Sequence, residues 1–495
     1  MDCQTVYLNM AEMRPLPEQE LGHAWIRSVG LLERWLGRHA RLDSLLEEPG
    51  RVVLEPAAKA FERTPGGPVA TEGQERARCQ HLLFGTVRNL GRLEDQLGTM
   101  ISRKPRARLQ AVLLVAGFEL LEAGEAPADA GKGARIVHHA VGQAKRLLSP
   151  AEVRLVNAVL RGLARAPGLH AGPPPHEAGA PELARYFSHP EWLVRRWLAQ
   201  FGGAATRQLL QWNQTPPPVY ARWRGRRVNG ETSPEGEPGG PQSDAPSGPP
   251  GFLQSAPWPG FHVVPAGHWP EIELLLADGA IYLQDPATAM APGLLAPKAG
   301  ETVLDLCAAP GGKSLLLADL LEQQARPAHP APARTGRVVA VDLPDDRRIG
   351  RLKENLAKAR TAEVALVQAD VLKLSSRLLK EHNLPAAFCA ILLDVPCSNT
   401  GVMRHRVDVK WRLRESDIAK HAGQQLALLE AAARFLAPGG RLVYSTCSLE
   451  QEENEKVVEA FLRANSGRYV LEQTRSCRPW EDGCDGAGAF LLRRQ

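Results

Sequence analysis

Along the first third of the chain, apolar residues recur every three to four positions: Leu82, Leu83, Val87, Leu90 and Leu97, then Leu109, Val112, Leu113 and Ala116, then Val137, Val141, Ala144 and Leu148. This spacing lays each set on one face of a helix and predicts helical structure from residue 22 to about 166. Between the second and third stripes, Gly124, Pro127, Gly131 and Gly133 predict a loop. Asn157, a polar residue in the apolar run 155–160, is expected to be a hydrogen-bonded structural residue. Prolines and glycines over 167–175 break the helical pattern. Ser188-His-Pro-Glu191 then fits a capping box, with Ser188 accepting from the first turn and Glu191 reaching back. The helix that follows carries Trp192, Leu193, Val194, Trp197 and Leu198, aromatics expected in a core rather than stacked on bases.

The periodicity then changes. Residues 229–250 hold 11 Gly or Pro in 22 positions and no aliphatic core former, so they predict a flexible insertion. From about residue 284, short β-branched or aliphatic runs alternate with helical stretches, and 302–306, 338–341, 364–367, 390–393 and 441–444 are the expected strands. Such alternation predicts a doubly wound parallel sheet with ligands at the carboxyl ends of its strands. A second Pro/Ala-rich stretch, 323–336, lengthens the link between the first helix and second strand of that sheet. The expected organisation is multidomain: an all-α domain over 1–168, a small connecting subdomain over 180–283, and an α/β domain of Rossmann-like type over 284–495.

Composition narrows the class. With 495 residues and 44% apolar content, the chain can bury several cores and is expected to form three or four units. No apolar run reaches about 18 residues, and Met1-Asp-Cys-Gln-Thr lacks the basic and apolar regions of a signal peptide, so a cytoplasmic protein is expected. The eight cysteines, Cys3, Cys79, Cys307, Cys389, Cys397, Cys447, Cys477 and Cys484, form no C-x-x-C pair and are expected to be reduced. The net charge of +5 conceals an asymmetry: residues 1–228 carry 31 Lys+Arg against 22 Asp+Glu, and the rest 29 against 33. A basic front half suggests a polyanion partner, with Arg103, Lys104, Arg106 and Arg108, or Arg222, Arg224, Arg226 and Arg227, as candidate contacts.

The candidate chemistry lies at the strand ends. The first strand runs into Cys307-Ala308-Ala309-Pro310-Gly311-Gly312-Lys313, whose glycines allow close backbone approach and whose following helix offers unpaired N–H groups. This loop matches neither G-x-x-x-x-G-K-[ST] nor G-x-G-x-x-G, which favours S-adenosylmethionine over ATP or NAD as the ligand. Asp342, ending the second strand, can accept both hydroxyls of a ribose, and Asp370, ending the third, can meet an adenine edge. Asp394, ending the fourth, completes the cofactor set and can also hydrogen-bond the ring N3 and exocyclic amine of a cytosine as a nucleophile adds. Cys397 and Cys447 follow the last two strands, so two thiols border the cofactor site. A thiolate there can attack an electron-poor ring carbon, and on spacing alone either cysteine can be the attacker.

Three stretches, Asp305-Leu-Cys-Ala-Ala-Pro-Gly-Gly-Lys-Ser314, Asp394-Val-Pro-Cys-Ser-Asn-Thr-Gly401 and Tyr444-Ser-Thr-Cys-Ser-Leu-Glu-Gln-Glu-Glu-Asn-Glu455, resemble signature motifs of the NOL1/NOP2/Sun family of RNA 5-methylcytosine methyltransferases. Arg404-His-Arg-Val-Asp-Val-Lys-Trp-Arg412 and Trp480-Glu-Asp-Gly-Cys-Asp-Gly-Ala-Gly-Ala-Phe490 extend the likeness. The helical front resembles the NusB-type RNA-binding domain that precedes the catalytic part in bacterial small-subunit rRNA cytosine methyltransferases. The resemblance implies a class I methyltransferase fold, S-adenosylmethionine as cofactor, no metal, and small-subunit (16S) rRNA as the partner, with a monomeric chain and no membrane association. It assigns attack to Cys447 and assistance with release to Cys397, although DNA cytosine methyltransferases attack with a Pro-Cys thiol that resembles Cys397. A tRNA cytosine-5 methyltransferase of the same family and a non-catalytic ribosome-assembly factor are the alternatives. Val395 and Asn399 depart from the family's usual Ala and Gly, and Leu343-Pro-Asp-Asp after the second strand is unusual. Lys410-Trp411-Arg412 is open to two readings, an RNA contact or a salt-bridged turn.

Overall fold

A computed structural model describes residues 18–47, 72–124, 131–225, 248–325, 336–360 and 362–495. Two compact units divide the chain. One takes the described residues up to Pro217 together with Met403–Glu415; the other takes Pro218–Val402 and Ser416–Gln495. The division therefore runs through the 180–283 segment rather than around it.

The first unit is helical: α1 Glu18–Arg38, α2 Leu42–Glu47, α3 Glu72–Arg88, α4 Leu90–Gly98, α5 Ala107–Gly124, α6 Lys132–Ala144, α7 Pro150–Leu163, α8 Ala180–Tyr186 and α9 Glu191–Gln214. Helix α5 is buried from Leu109 to Leu121, all round its circumference, as its nearly unbroken apolar sequence requires. It packs with α1, α3, α6 and α7 around Trp25, Trp35, Leu82, Leu83 and Leu113. The three apolar stripes fall on α3 with α4, on α5 and on α6, with Leu148 past the end of α6. Gly124 and Gly133 nevertheless lie inside helices, and Pro127, with residues 125–130, lies outside the described residues. Asn157 is half-buried on α7.

The capping box expected at Ser188 does not form. Ser188 adopts a left-handed backbone (φ 55°), and its Oγ accepts the Gly91 backbone N–H at 2.7 Å, tying the α8–α9 turn to α4. The capping box is found instead at α7, where Ser149 Oγ and the Glu152 carboxylate exchange bonds with each other's backbone amides. Trp197 is fully buried as expected.

Met403–Glu415, with the short α15 Val409–Arg412, belongs to this same unit. Lys410 is 1% exposed and donates to the Arg88 carbonyl at 2.8 Å, Trp411 Nε1 donates to Val87 O at 2.8 Å, and Arg412 pairs with Asp408 at 2.6 Å. Lys410 and Trp411 thus clamp the end of α3, and Arg412 forms a salt-bridged turn with Asp408.

The second unit holds two sheets. A small antiparallel sheet has the order β2-β3-β1-β4, from β1 Tyr220–Trp223, β2 Gln254–Ser255, β3 Phe261–Val263 and β4 Ile281–Leu283. The large one comprises β5 Thr302–Leu306, β6 Arg337–Asp342, β7 Glu363–Gln368, β8 Phe388–Asp394, β9 Leu436–Thr446, β10 Tyr469–Cys477 and β11 Ala487–Arg494. Its order is β10-β11-β9-β8-β5-β6-β7, parallel from β9 to β7, with β11 and β10 antiparallel at one side. All five strands expected from the sequence are present. The added hairpin was not legible, because β10 is exposed almost throughout and β11 opens on Ala-Gly-Ala.

The order of strand addition reverses between the parallel strands β5 and β8, the switch point at which such sheets open a crevice. The helices of this unit include α10 Trp269–Ala277, α11 Met290–Leu295, α12 Gly312–Ala325, α13 Asp346–Leu356, α14 Ser376–Glu381 and α16 Glu415–Ala433, and separate cores lie on the two faces of the large sheet. On α12, Asp319 receives Arg222 at 2.6 Å and Arg224 at 2.7 Å, all three buried. Burial pushes the Arg222 guanidinium down. These arginines brace β1 against α12 and are not RNA contacts, while Arg226 and Arg227, with residues 226–247, lie outside the described part. Arg103, Lys104, Arg106 and Arg108 are exposed, with Arg106 paired to Glu152 and Arg108 to Glu33. Among the described residues no helix is long and apolar enough to cross a membrane.

Candidate active site

Five strand ends define the crevice. After β5 the chain turns at Cys307 (φ 61°), and Ala308 N–H donates to Val341 O at 3.1 Å, which fastens the loop over β6. Gly311, at φ 104°, occupies a region that L side chains avoid, and its N–H closes the turn on Ala308 O at 2.7 Å. Helix α12 starts at Gly312. Asn355, from α13, holds the Pro310 carbonyl at 2.8 Å.

Asp342, 1% exposed at the end of β6, receives the N–H groups of Ala309 at 2.7 Å and Leu343 at 2.8 Å. Its third donor is the guanidinium of Arg348, 2.9 Å away and 43% exposed. Asp370 stands at the next strand end, half-buried, and accepts the Leu372 N–H at 3.0 Å, so it caps its own turn. Asp305, within β5, is fully buried and accepts the Ser314 hydroxyl at 2.5 Å through Oδ2. Its Oδ1 has no protein partner, and burial pushes its carboxyl up to about 7. Burial, with Asp342 and Asp394 nearby, also pushes the Cys307 thiol far up, which sets it apart from a thiolate nucleophile.

Strands β8 and β9 run parallel with Asp394 opposite Ser445, which brings their carboxyl ends level. Cys397 lies three residues past the end of β8 and Cys447 one past the end of β9, and their sulfurs lie 3.1 Å apart as free thiols. The approach depends on Gly401, whose N–H donates to Cys447 O at 3.0 Å and whose carbonyl takes the Gly486 N–H at 2.8 Å. A Cβ at Gly401 would collide with the Gly486 carbonyl.

Cys397 is 6% exposed, and the hydrogen bond to Cys447 together with burial pushes its thiol well above the ordinary range. Lys313 Nζ meets Asp394 Oδ2 at 2.6 Å, and Ser445 donates to Asp394 Oδ1 at 2.8 Å. Burial pulls the Lys313 ammonium down, but Asp394 outweighs it, with Cys447 and Asp305 adding to the effect, and the net shift is upward. Asn399 (φ 62°) bridges the pair: its Nδ2 donates to Cys397 O at 2.7 Å, and Cys447 Sγ lies 3.3 Å from its Oδ1.

Behind the sulfurs, the fully buried Glu453 collects the Ser398 N–H at 2.9 Å, the Gln425 amide at 2.9 Å, the Ser448 hydroxyl at 2.5 Å and the Ser398 hydroxyl. One carboxylate thereby anchors both thiol-bearing loops.

Of the residues expected from the sequence, Lys313, Asp394, Cys397 and Cys447 form one cluster. The loop 307–313 and Asp342 are joined by hydrogen bonds, and Asp370 is bonded only within its own turn. Sequence reasoning passed over Arg348, Gln425 and Glu453, and met Asn399 only as a departure. Glu453 sits in an acidic run in which Glu450 is buried too, Glu452 is half-buried and Glu455 is exposed, so no local signal marks the one that joins the two loops.

Residues 292–478 match the family described as 16S rRNA methyltransferase RsmB/F, and residues 62–165 match the NusB family. The chain is 32% identical to the ribosomal RNA small subunit methyltransferase B of Vibrio cholerae, over 85% of this chain and 90% of that protein. The protein of the same name from Serratia proteamaculans is 31% identical with the same coverage. The crystal structure of PH0851 shares the fold, with a TM-score of 0.67 at 21% identity over 98% of this chain and all of that one. The chain belongs to the RsmB/F family of RNA methyltransferases.

Proposed function

We propose that the chain methylates carbon 5 of a cytidine in small-subunit ribosomal RNA, with S-adenosylmethionine as methyl donor. The observation that carries this reading is the pair of thiols 3.1 Å apart at adjacent strand ends, beside the Lys313–Asp394 ion pair. Carbon 5 of cytosine is a poor nucleophile until a thiolate adds to carbon 6, whereas methylation of an exocyclic amine needs no thiol. The relatives' names supply the ribosomal substrate.

The residues fit the cofactor. Asp342 binds two backbone amides and one half-exposed side chain, Arg348, which is the donor that ribose hydroxyls can replace. The loop 307–313 approaches from the adjacent strand, Asp305 Oδ1 is an unpaired acceptor at its base, and Asp370 stands one strand further on for the adenine. Bound there, the cofactor supplies a methyl group on an electron-poor sulfur.

The chain's own residues do the rest. Cys447, as thiolate, forms a bond to ring carbon 6, and the displaced electron pair makes carbon 5 nucleophilic toward the methyl group. Loss of the carbon 5 proton to solvent water then returns an electron pair to the ring and expels the Cys447 sulfur. Cys397, kept protonated by its surroundings, assists that release. Asp394 presents an acceptor to the exocyclic amine of the base. The target must leave its stack to reach the crevice, which favours a loop or a transiently opened region.

RNA carrying tritium at carbon 5 of cytidine tests the reading. Methyl incorporation should proceed with stoichiometric tritium release. Incorporation without release would assign the methyl to another atom, and neither event would leave a non-catalytic assembly factor.

A further inference from the structure

We propose that Asn399 is a positioning residue for the reacting thiol: its carboxamide dictates that Cys397 donates its hydrogen to Cys447 and that Cys447 rests as a thiol. The proposal builds on the reading of Cys447 as the nucleophile. It starts from the orientation of one amide. Nδ2 of Asn399 lies 2.7 Å from Cys397 O, and a flipped amide would set two oxygens against each other. Oδ1 therefore faces Cys447 Sγ, 3.3 Å away.

An amide oxygen carries no hydrogen, so Cys447 is the donor in that contact. With its one hydrogen engaged, Cys447 can join the 3.1 Å sulfur–sulfur contact only as acceptor, and Cys397 must donate. The bonds run in one direction, from Cys397 to Cys447 to Asn399. When Cys447 loses its proton, the thiolate keeps the Cys397 donor and loses the Asn399 acceptor. Asn399 thus favours the resting thiol, and the proton needed for release stays on Cys397.

Other charged and titratable groups face the pair. Lys313, at the start of α12, favours the thiolate; Asp394, at the end of β8, and Glu453, behind Ser398 and Ser448, oppose it. Tyr444, on β9, also lies close to Cys397. None of them is altered by a substitution at 399.

Gly adopts φ 62° without strain, so Asn399→Gly keeps the turn while deleting the amide. The test is the pH dependence of iodoacetamide alkylation at Cys447, read by mass spectrometry on the full chain, with thermal unfolding as the fold control. Asn399→Gly should lower the alkylation midpoint by about one pH unit, the size of one lost hydrogen bond to the thiol form. Asn399→Asp, which sets a carboxylate against the sulfur, should raise it. An unchanged midpoint in the Gly variant, or shifts of the same sign in both, would reduce Asn399 to a turn former. Methylation by Cys447→Ala would instead remove the nucleophile reading, and the alkylation shift distinguishes the two failures.

Discussion

Cys397 is almost closed off, whereas Cys447 is partly open to solvent and lies near the Lys313 ammonium. A nucleophile needs access and a cationic neighbour, and a group that hands back a proton needs to hold it. Cys447→Ala should therefore abolish methylation without forming a protein–RNA adduct, whereas Cys397→Ala should accumulate one, resolved as a denaturation-resistant band. The opposite pattern would exchange the roles. Asp305 offers a second test at this scale. Its folded-state pKa of about 7 lies above the ordinary value of 3.8, so the folded protein binds a proton that the unfolded chain releases. That contribution is complete below about pH 4 and is lost as the pH rises through 7. Relative to wild type, Asp305→Asn should gain on the order of 2 to 4 kcal/mol between pH 4 and 8, measured by urea unfolding at each pH. The residues that gather at the strand ends were legible because motifs are local; Glu453 and Arg348 were not, because burial and a partner six residues away are invisible in a run of charges.

Between elements, backbone proximity does what side chains cannot. The turns after β8 and β9 and the turn before β11 meet at Gly401 and Gly486, where an added Cβ on Gly401 would stand 2.7 Å from the Gly486 carbonyl carbon and 2.8 Å from Cys447 O. Gly401→Ala should cost about 1 to 3 kcal/mol in unfolding free energy and depress methylation further than the stability loss explains, because the sulfurs are displaced. Asp319→Ala would leave Arg222 and Arg224 buried without their carboxylate. A loss of about 3 to 5 kcal/mol in a denaturant titration is expected. A small loss would mean that the arginines can reach solvent. The parallel strands were readable from their β-branched runs, but the antiparallel hairpin was not, since β10 pairs along one edge only and has no buried face to leave a period. Ser188 failed as a cap for a related reason: its hydroxyl found a donor 97 residues away in α4.

For the molecule as a whole, substrate choice is tested in cells. Bisulfite sequencing of ribosomal RNA with and without the protein should reveal one small-subunit cytidine whose protection disappears; an unchanged rRNA and a changed tRNA would move the activity to the alternative substrate. By itself the sequence determined the helical front, the alternating strands and helices behind it, the loop 307–313, and the carboxylates and thiols at strand ends, because periodicity and motifs act over a few residues. Only the tertiary structure decided that Lys410 and Trp411 clamp α3, that Arg222 and Arg224 brace α12, and that two cysteines 50 positions apart lie 3.1 Å from each other. Those outcomes depend on the register of β8 against β9 and on which buried charges find partners, and both are set by packing between segments far apart in the chain.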